Sequence, residues 1–362
     1  MPTRALLLLG LLTLPLGACS SPASAGDADA ADADAADAGA ADGSAADAGA
    51  PDVPPACEAA TPGGTSPDGY PLDGWLWERH GVLWEPPAGT GSGAGDLAPS
   101  LVAVGPALHL FFTRKAGTTH RIHHASSPDG VAWTVGDVPA TGLGDDAVVA
   151  YPAALHEGGR FRLWYGSGSI DLAESLDGDA WTLVTESVLR VGASGAFDGL
   201  SVLYPAILHD ADGYRLYYTG FDGAQLAIGR ADAADGVAFT RAQTTPVLER
   251  GAAADPDNHA VAQPCAVRAG AVVLLWYGAY DTAQSNPGPY RVALATSADG
   301  LAFTKRGVTL DLGASGADAW STRDPTVLRT ADGWLMVYAG IGDDGRYRLM
   351  RATSRTCAPT TP

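Results

Sequence analysis

Tyr204-Pro205-Ala206-Ile207-Leu208-His209, followed after a polar turn by Tyr214-Arg215-Leu216-Tyr217-Tyr218-Thr219-Gly220, is the stretch whose reading decides the fold. A proline opens an apolar strand, and an aromatic residue stands in the next strand 13 positions later. The same pair recurs along the chain, with prolines at Pro99, Pro152, Pro205, Pro264 and Pro325 and aromatics at Phe112, Tyr165, Tyr218, Tyr277 and Tyr338. The separation is 13 residues in every copy, a constancy that chance does not supply. The second strands read Leu163-Trp164-Tyr165-Gly166, Leu275-Trp276-Tyr277-Gly278 and Met336-Val337-Tyr338-Ala339-Gly340. Unbroken apolar runs of this kind fit strands covered on both faces.

A turn completes the unit. Ser127-Pro128-Asp129-Gly130-Val131-Ala132-Trp133-Thr134 recurs around Asp177-Gly178 with Trp181, Asp235-Gly236 with Phe239, and Asp299-Gly300 with Phe303. Asp-Gly supplies the positive φ of a hairpin turn, and the aromatic residue then packs between layers. Each unit is therefore four strands, a propeller blade. The fifth copy ends near Ser354 without such a turn, and the missing piece stands at the other end as Asp73-Gly74-Trp75-Leu76-Trp77-Glu78-Arg79. The chain is thus expected to be all-β: a five-bladed β-propeller of four-stranded antiparallel blades, its ring closed by an N-terminal strand in the last blade. The blades fall at 96–142, 143–194, 195–252, 253–312 and 313–356 plus 70–88.

The rest of the chain is not propeller. Arg4 and the apolar run from Ala5 to Leu16 form a signal peptide over 1–18, ending in Leu16-Gly17-Ala18-Cys19. That ending is similar to a bacterial lipobox and implies lipidation of Cys19. Residues 19–56 read as a disordered Ala/Asp-rich tether: 26–50 contain Gly, Ala, Asp and Ser alone, and residues 20–56 hold eight aspartates and no basic residue. The propeller then occupies 57–362. Cys57 and Cys357 bracket it and are placed to form a disulfide in an exported protein, while Cys265 reads as a buried thiol. A net charge of -19 argues against a nucleic-acid partner. A lipid-anchored monomer of the bacterial cell envelope, at the outer membrane or cell surface, is expected, touching membrane through its anchor only.

Five blades with proline-opened inner strands and Asp-Gly hairpins resemble the clan of five-bladed glycosidases: glycoside hydrolase families 43 and 32 and the related family 130 phosphorylases. Asp324-Pro325-Thr326-Val327-Leu328 is similar to the strand openings that carry carboxylates in family 43. The resemblance implies a site in the axial funnel, where the inner strands begin, and an oligosaccharide or polysaccharide as partner. Glycoside hydrolysis needs two carboxyl groups at a defined separation. The residues before the repeat prolines are Ala98, Tyr151, Tyr204, Gln263 and Asp324, one acid among them. Gln263 stands where an acid is expected, and an amide is no general acid.

Residues that break the repeat are the better candidates. Asp324 is the first carboxylate, with Arg323 as its neighbour. Asp96 is the second, because it lies three before Pro99 where the other units carry Val149, Val202, Val261 and Thr322. Arg323, Trp320, Tyr151, Tyr204, Gln263 and His259 are the expected substrate-binding set, the aromatic faces suiting the C–H side of a pyranose. Asp145, Asp198, Asp257 and Asp318 each precede a repeat proline by seven residues, and such repetition reads as shared loop hydrogen bonding. Asp222, Asp281, Asp343 and Asp344 follow the second strands as solvated loop residues or as the funnel rim. His120, His123 and His124 alternate faces without an evident fourth ligand, so no metal is expected, and neither a cofactor nor an axial Ca²⁺ is indicated. The functional expectation is a surface-tethered glycosidase-like protein acting on or binding an oligosaccharide in the axial funnel, a glycoside hydrolase if it is an enzyme. The alternative is a non-catalytic carbohydrate- or protein-binding propeller lipoprotein.

Overall fold

The structure, a computed structural model, describes residues 75–88, 93–166, 168–281, 289–330 and 333–354. The expected signal peptide and tether, Cys19, Cys57, Cys357 and the Asp73-Gly74 turn lie outside the described residues. Among those described there is no helix. After β1 (Glu78–Val82), strands β2 (Gly95–Val104), β3 (Ala107–Ala116), β4 (Thr119–Ser127) and β5 (Thr134–Val135) pair in that order, antiparallel. Three four-stranded antiparallel sheets follow. They are β6 (Ala153–Glu157) to β9 (Trp181–Leu189) through β7 (Arg160–Tyr165) and β8 (Ile170–Ser175); β10 (Ser201–Asp210) to β13 (Thr240–Arg241) through β11 (Gly213–Phe221) and β12 (Leu226–Ala233); and β14 (Ala260–Ala269) to β17 (Thr304–Leu310) through β15 (Val272–Tyr280) and β16 (Tyr290–Ser297). Last come β18 (Ser321–Thr330), β19 (Gly333–Ile341) and β20 (Tyr347–Ser354), and β1 pairs antiparallel with β20.

The first and last strand groups are not separate sheets. Gly95 pairs in parallel with Tyr347, which joins β18–β20 and β2–β5 into one eight-stranded sheet. The reason is local. Gly95 sits at φ 130°, and a Cβ there would overlap the Tyr347 carbonyl oxygen, so only glycine lets the two backbones meet.

The apolar runs of the second strands serve two cores each. Trp164 packs with Leu216, Tyr218 and Ala231 of the next sheet, while its neighbours Leu163 and Tyr165 pack with Phe111 and Ile122 of the sheet before. Tyr217 joins Leu275 and Tyr277; Trp276 joins Met336, Tyr338 and Trp75; Val337 and Leu335 join Leu101, Leu110 and Phe112. Period-2 alternation explains this: in a strand buried on both faces, successive side chains enter opposite layers. The turn aromatics Trp77, Trp133, Trp181, Phe239 and Phe303 each sit in or against a different one of these clusters.

The Asp-Gly turns behave as their chemistry dictates. Gly130, Gly178, Gly236 and Gly300 all have φ between 72° and 87°. The Asp299 carboxylate accepts from the Leu301 and Ala302 amides at 2.8 and 3.0 Å, and the Ser297 hydroxyl accepts from the Gly300 amide. Asp129, Asp177 and Asp235 accept from their own following amides in the same way.

Candidate functional site at the strand openings

Ala98, Tyr151, Tyr204, Gln263 and Asp324, the residues before the repeat prolines, all lie in the left-handed region at φ 48°, 59°, 47°, 57° and 51°. For non-glycine residues this is uncommon and costly. The cause is visible in β2, β10, β14 and β18, where pairing skips the dipeptide: register shifts fall between Leu97 and Ser100, Leu203 and Ala206, Ala262 and Cys265, and Arg323 and Thr326. A proline cannot donate to the ladder, so the strand bulges there and re-aims the preceding side chain. All five residues and their prolines converge around one small cavity of about 30 Å³, room for a water or two.

A repeated backbone need explains two of the five identities. The Tyr151 amide donates to the Thr113 hydroxyl and the Gln263 amide to the Thr219 hydroxyl, each threonine following the second-strand aromatic of the sheet before, both at 2.9 Å. The corresponding positions of the next sheets are Gly278 and Ala339, which have no acceptor. Gln263 fills the space over Gly278, where a Cβ would overlap its Oε1, and that oxygen accepts from the Asp324 amide at 3.4 Å. Asp324 in turn accepts from the Ala98 amide through Oδ2 at 3.2 Å. Gln263 and Asp324 therefore replace missing threonine hydroxyls for buried amides that would otherwise go unpaired.

Around Asp324 lies an aromatic and basic shell. The Arg323 guanidinium stands 4.5 Å from the Tyr290 ring centre and 5.7 Å from that of Tyr347. It reaches the Tyr204 hydroxyl at 3.5 Å, and its Nε lies 3.5 Å from Asp324 Oδ1. The Tyr151 and Tyr204 rings are 4.0 Å apart at 32°. Tyr151 is buried, so Tyr204, half-buried, is the member of this pair left for a ligand. Burial raises the carboxyl of Asp324 above the usual range against the opposing pull of Arg323. Burial also pushes the Tyr151 and Tyr290 hydroxyls up to about 12.

Other expected residues fall in three places. Leu200, His259 and Trp320 are equivalent, each donating its amide to the last carbonyl of the second strand (Phe221, Tyr280 and Ile341), and all three are exposed, none of them lining the small cavity. His259 packs edge-on to Tyr280 at 4.8 Å. Asp96 is fully buried, and both its oxygens are taken: Arg114 binds it bidentately at 2.7 and 2.8 Å, and the Trp84 indole donates at 2.9 Å. Asp222 closes its own turn, Asp281 accepts from Asn258, Asp344 pairs with Arg348, and Asp343 is exposed.

The aspartates seven before the prolines divide three to one. Asp198, Asp257 and Asp318 accept from Tyr218, Tyr277 and Tyr338 at 2.8, 2.9 and 2.7 Å, and from Arg241, Lys305 and Arg79 at 2.7, 2.6 and 3.0 Å. Asp145 instead is exposed, and Tyr165 donates to the Leu143 carbonyl. The cation explains the split. Arg241, Lys305 and Arg79 pair with Ala231, Ala295 and Ala352 in equivalent register, and in the second sheet that place is Leu183.

His120, His123 and His124 share no centre, and no group of three or more potential ligands able to hold a metal occurs among the described residues. His124 bonds His109 at 2.9 Å and Asp179 at 3.0 Å, a relay between the first two sheets that the sequence reading did not find. A larger cavity of about 570 Å³ lies away from the openings, lined by Phe197, Asp222, Arg250 and Asn258 among others.

This chain has the fold of the propeller-type glycoside hydrolases. It is similar to a family 117 glycoside hydrolase of the marine bacterium Zobellia galactanivorans (TM-score 0.61, 16% identity, 80% of this chain and 93% of the other). It is similar to the catalytic domain of a family 62 α-L-arabinofuranosidase of Coprinopsis cinerea (TM-score 0.60, 12% identity, 77% and 97%). It is also similar to a thermostable family-43 glycoside hydrolase (TM-score 0.57, 15% identity, 75% and 91%). In sequence it is 31% identical over 209 residues to uncharacterized proteins of two Mycobacterium tuberculosis strains, covering 54% of this chain. The chain spans 65% of the length of these curated relatives. No family model matches it.

Proposed function

We propose that the strand groups are the blades of a closed five-bladed propeller whose strand openings form a carbohydrate-recognition site. In this reading the protein is glycosidase-like, held at the bacterial envelope by a lipid on Cys19 and a tether over 19–56. The observation that carries it is the convergence of five left-handed residues around one cavity, with Arg323 between Tyr204, Tyr290 and Tyr347 beside it. A half-buried tyrosine presents an apolar face with a polar edge, which suits a sugar ring.

Recognition is favoured over turnover because the two expected carboxylates are both engaged. Asp96 is neutralised by Arg114, and Asp324 serves the Ala98 amide. A two-carboxylate hydrolysis has one free oxygen left to it, Asp324 Oδ1, facing Arg323 at 3.5 Å. Turnover is the second reading, and the raised carboxyl of buried Asp324 favours it, since a general acid must hold its proton near neutral pH. The test is to count new reducing ends from a glycan panel with the protein and its Asp324→Asn variant, which keeps an acceptor for Ala98. No release by either, with saturable binding by both, is expected. Release by the wild type alone would make Asp324 catalytic and replace recognition by hydrolysis.

A further inference from the structure

The chain has two lysines. Lys305 is bound to buried Asp257 at 2.6 Å. Lys115, half-buried near the end of β3, makes no ion pair with the described residues and lies 5.9 Å from the Tyr347 ring centre. Arg323 stands 5.7 Å from the same ring centre. Its carboxylate contact is one 3.5 Å approach to Asp324, whereas Arg114, Arg241, Arg291 and Arg348 each hold a carboxylate at 2.7 Å.

Two positive groups are thus gathered beside one tyrosine in a chain of net charge -19. Their mutual repulsion is opposed by one carboxylate, Asp324, at 3.5 Å from Arg323. Burial lowers the ammonium of Lys115 and the Arg323 charge lowers it further, while burial raises the carboxyl of Asp324 and so weakens the one countercharge near Arg323. Like charges gathered in a partly dry place favour the arrival of a further anion.

We propose that Lys115 and Arg323 form an anion-recognising subsite at the strand openings, selecting oligosaccharides that carry a carboxylate or sulfate over neutral ones. The inference rests on the carbohydrate-recognition reading above and narrows its substrate class. Arg323 supplies a planar fork of donors for the anion, steadied by Tyr290 and Tyr347 beside it, and Lys115 adds a second charge.

The experiment is calorimetric titration of the whole protein with matched pairs: an oligogalacturonate with its methyl ester, and a sulfated oligosaccharide with its desulfated form. The expected result is binding of one anionic member about tenfold tighter than its neutral partner. That preference weakens as salt rises, is lost in Lys115→Gln and is kept in Lys115→Arg. The pair that shows the preference tells carboxylate from sulfate. Equal affinity for charged and neutral members would overturn the inference and leave the carbohydrate reading standing. Absence of binding by every member would overturn both. If Lys115→Gln does not fold, the salt dependence of the wild type and the Lys115→Arg variant carry the decision.

Discussion

At the residue scale, the same side-chain type does opposite work in different surroundings. The Asp299 carboxylate is exposed, yet the Ala302 and Leu301 amides, helped by Ser297, hold it down to about 2. Buried Asp324 goes the other way. Asp299 thus adds stability that is present above its ordinary value of 3.8 and is lost as pH falls through about 2. Asp299→Ala should cost about 1 kcal/mol at neutral pH, since a turn's amides lose a charged acceptor but gain water. Urea unfolding should show that cost shrinking between pH 4 and pH 2, roughly the interval between the two values. The turn role was legible in the sequence because Asp-Gly recurs at fixed spacing. The amide-accepting role of Gln263 and Asp324 was not, because it depends on what Gly278 and Ala339 lack in neighbouring strands.

At the scale of elements, β1 is the informative strand. It stands far from β20 in sequence yet pairs with it, and Arg79 occupies the place that Arg241 and Lys305 hold in their own sheets. Aligning Asp73-Gly74-Trp75-Leu76-Trp77-Glu78-Arg79 with Asp299-Gly300-Leu301-Ala302-Phe303-Thr304-Lys305 sets the two cations at the same step. The strand's placement was therefore readable from the turn motif, whereas the Asp–Tyr–cation triads were not, since their members are far apart in the chain. Asp318 is buried and Arg79 is 34% exposed, so the pair is intermediate between a surface and a core ion pair. Arg79→Leu should destabilise by about 2 kcal/mol, because Asp318 is left with Tyr338 alone. The double variant Arg79→Leu with Asp318→Asn should recover about half of that, approaching the apolar arrangement that Leu183 has in the second sheet. A denaturant double-mutant cycle measures both, and additive losses would remove the triad from the account.

At the scale of the whole molecule, acid should act through buried histidines. His120 is pushed down to about 4 by burial, with Lys115 and Arg121 adding to it, and His123 to about 4 by burial and Arg114. Each is lower than its unfolded value of 6.5, so the stability it represents is present above 6.5 and is lost as pH falls towards 4. With both titrating, stability should fall by up to about 2.7 kcal/mol per pH unit at the steepest. His123→Phe, beside Phe112, should make the curve shallower. A pH series of unfolding midpoints checks this, and a flat curve from pH 6.5 to 4 would contradict it.

The repeat of proline and aromatic announced the sheets and the two-faced burial of their second strands. What it could not announce is the chemistry of the openings. Tyr290, Tyr347 and Lys115 sit outside the repeated positions and meet Arg323 only when distant strands are brought together. Asp96 looked available in sequence because its equivalents carry no charge, but Arg114, its cross-strand partner, takes both its oxygens.

Recognition of sugar at the strand openings, and not in the larger cavity beside Phe197, has one direct test. The measurement is the dissociation constant of one bound oligosaccharide for the wild type, Tyr204→Ala and Arg250→Ala, each verified as folded. A loss of about tenfold or more in Tyr204→Ala with Arg250→Ala unchanged is the predicted result. An unchanged constant in Tyr204→Ala together with a loss in Arg250→Ala would contradict it and place recognition in the peripheral cavity.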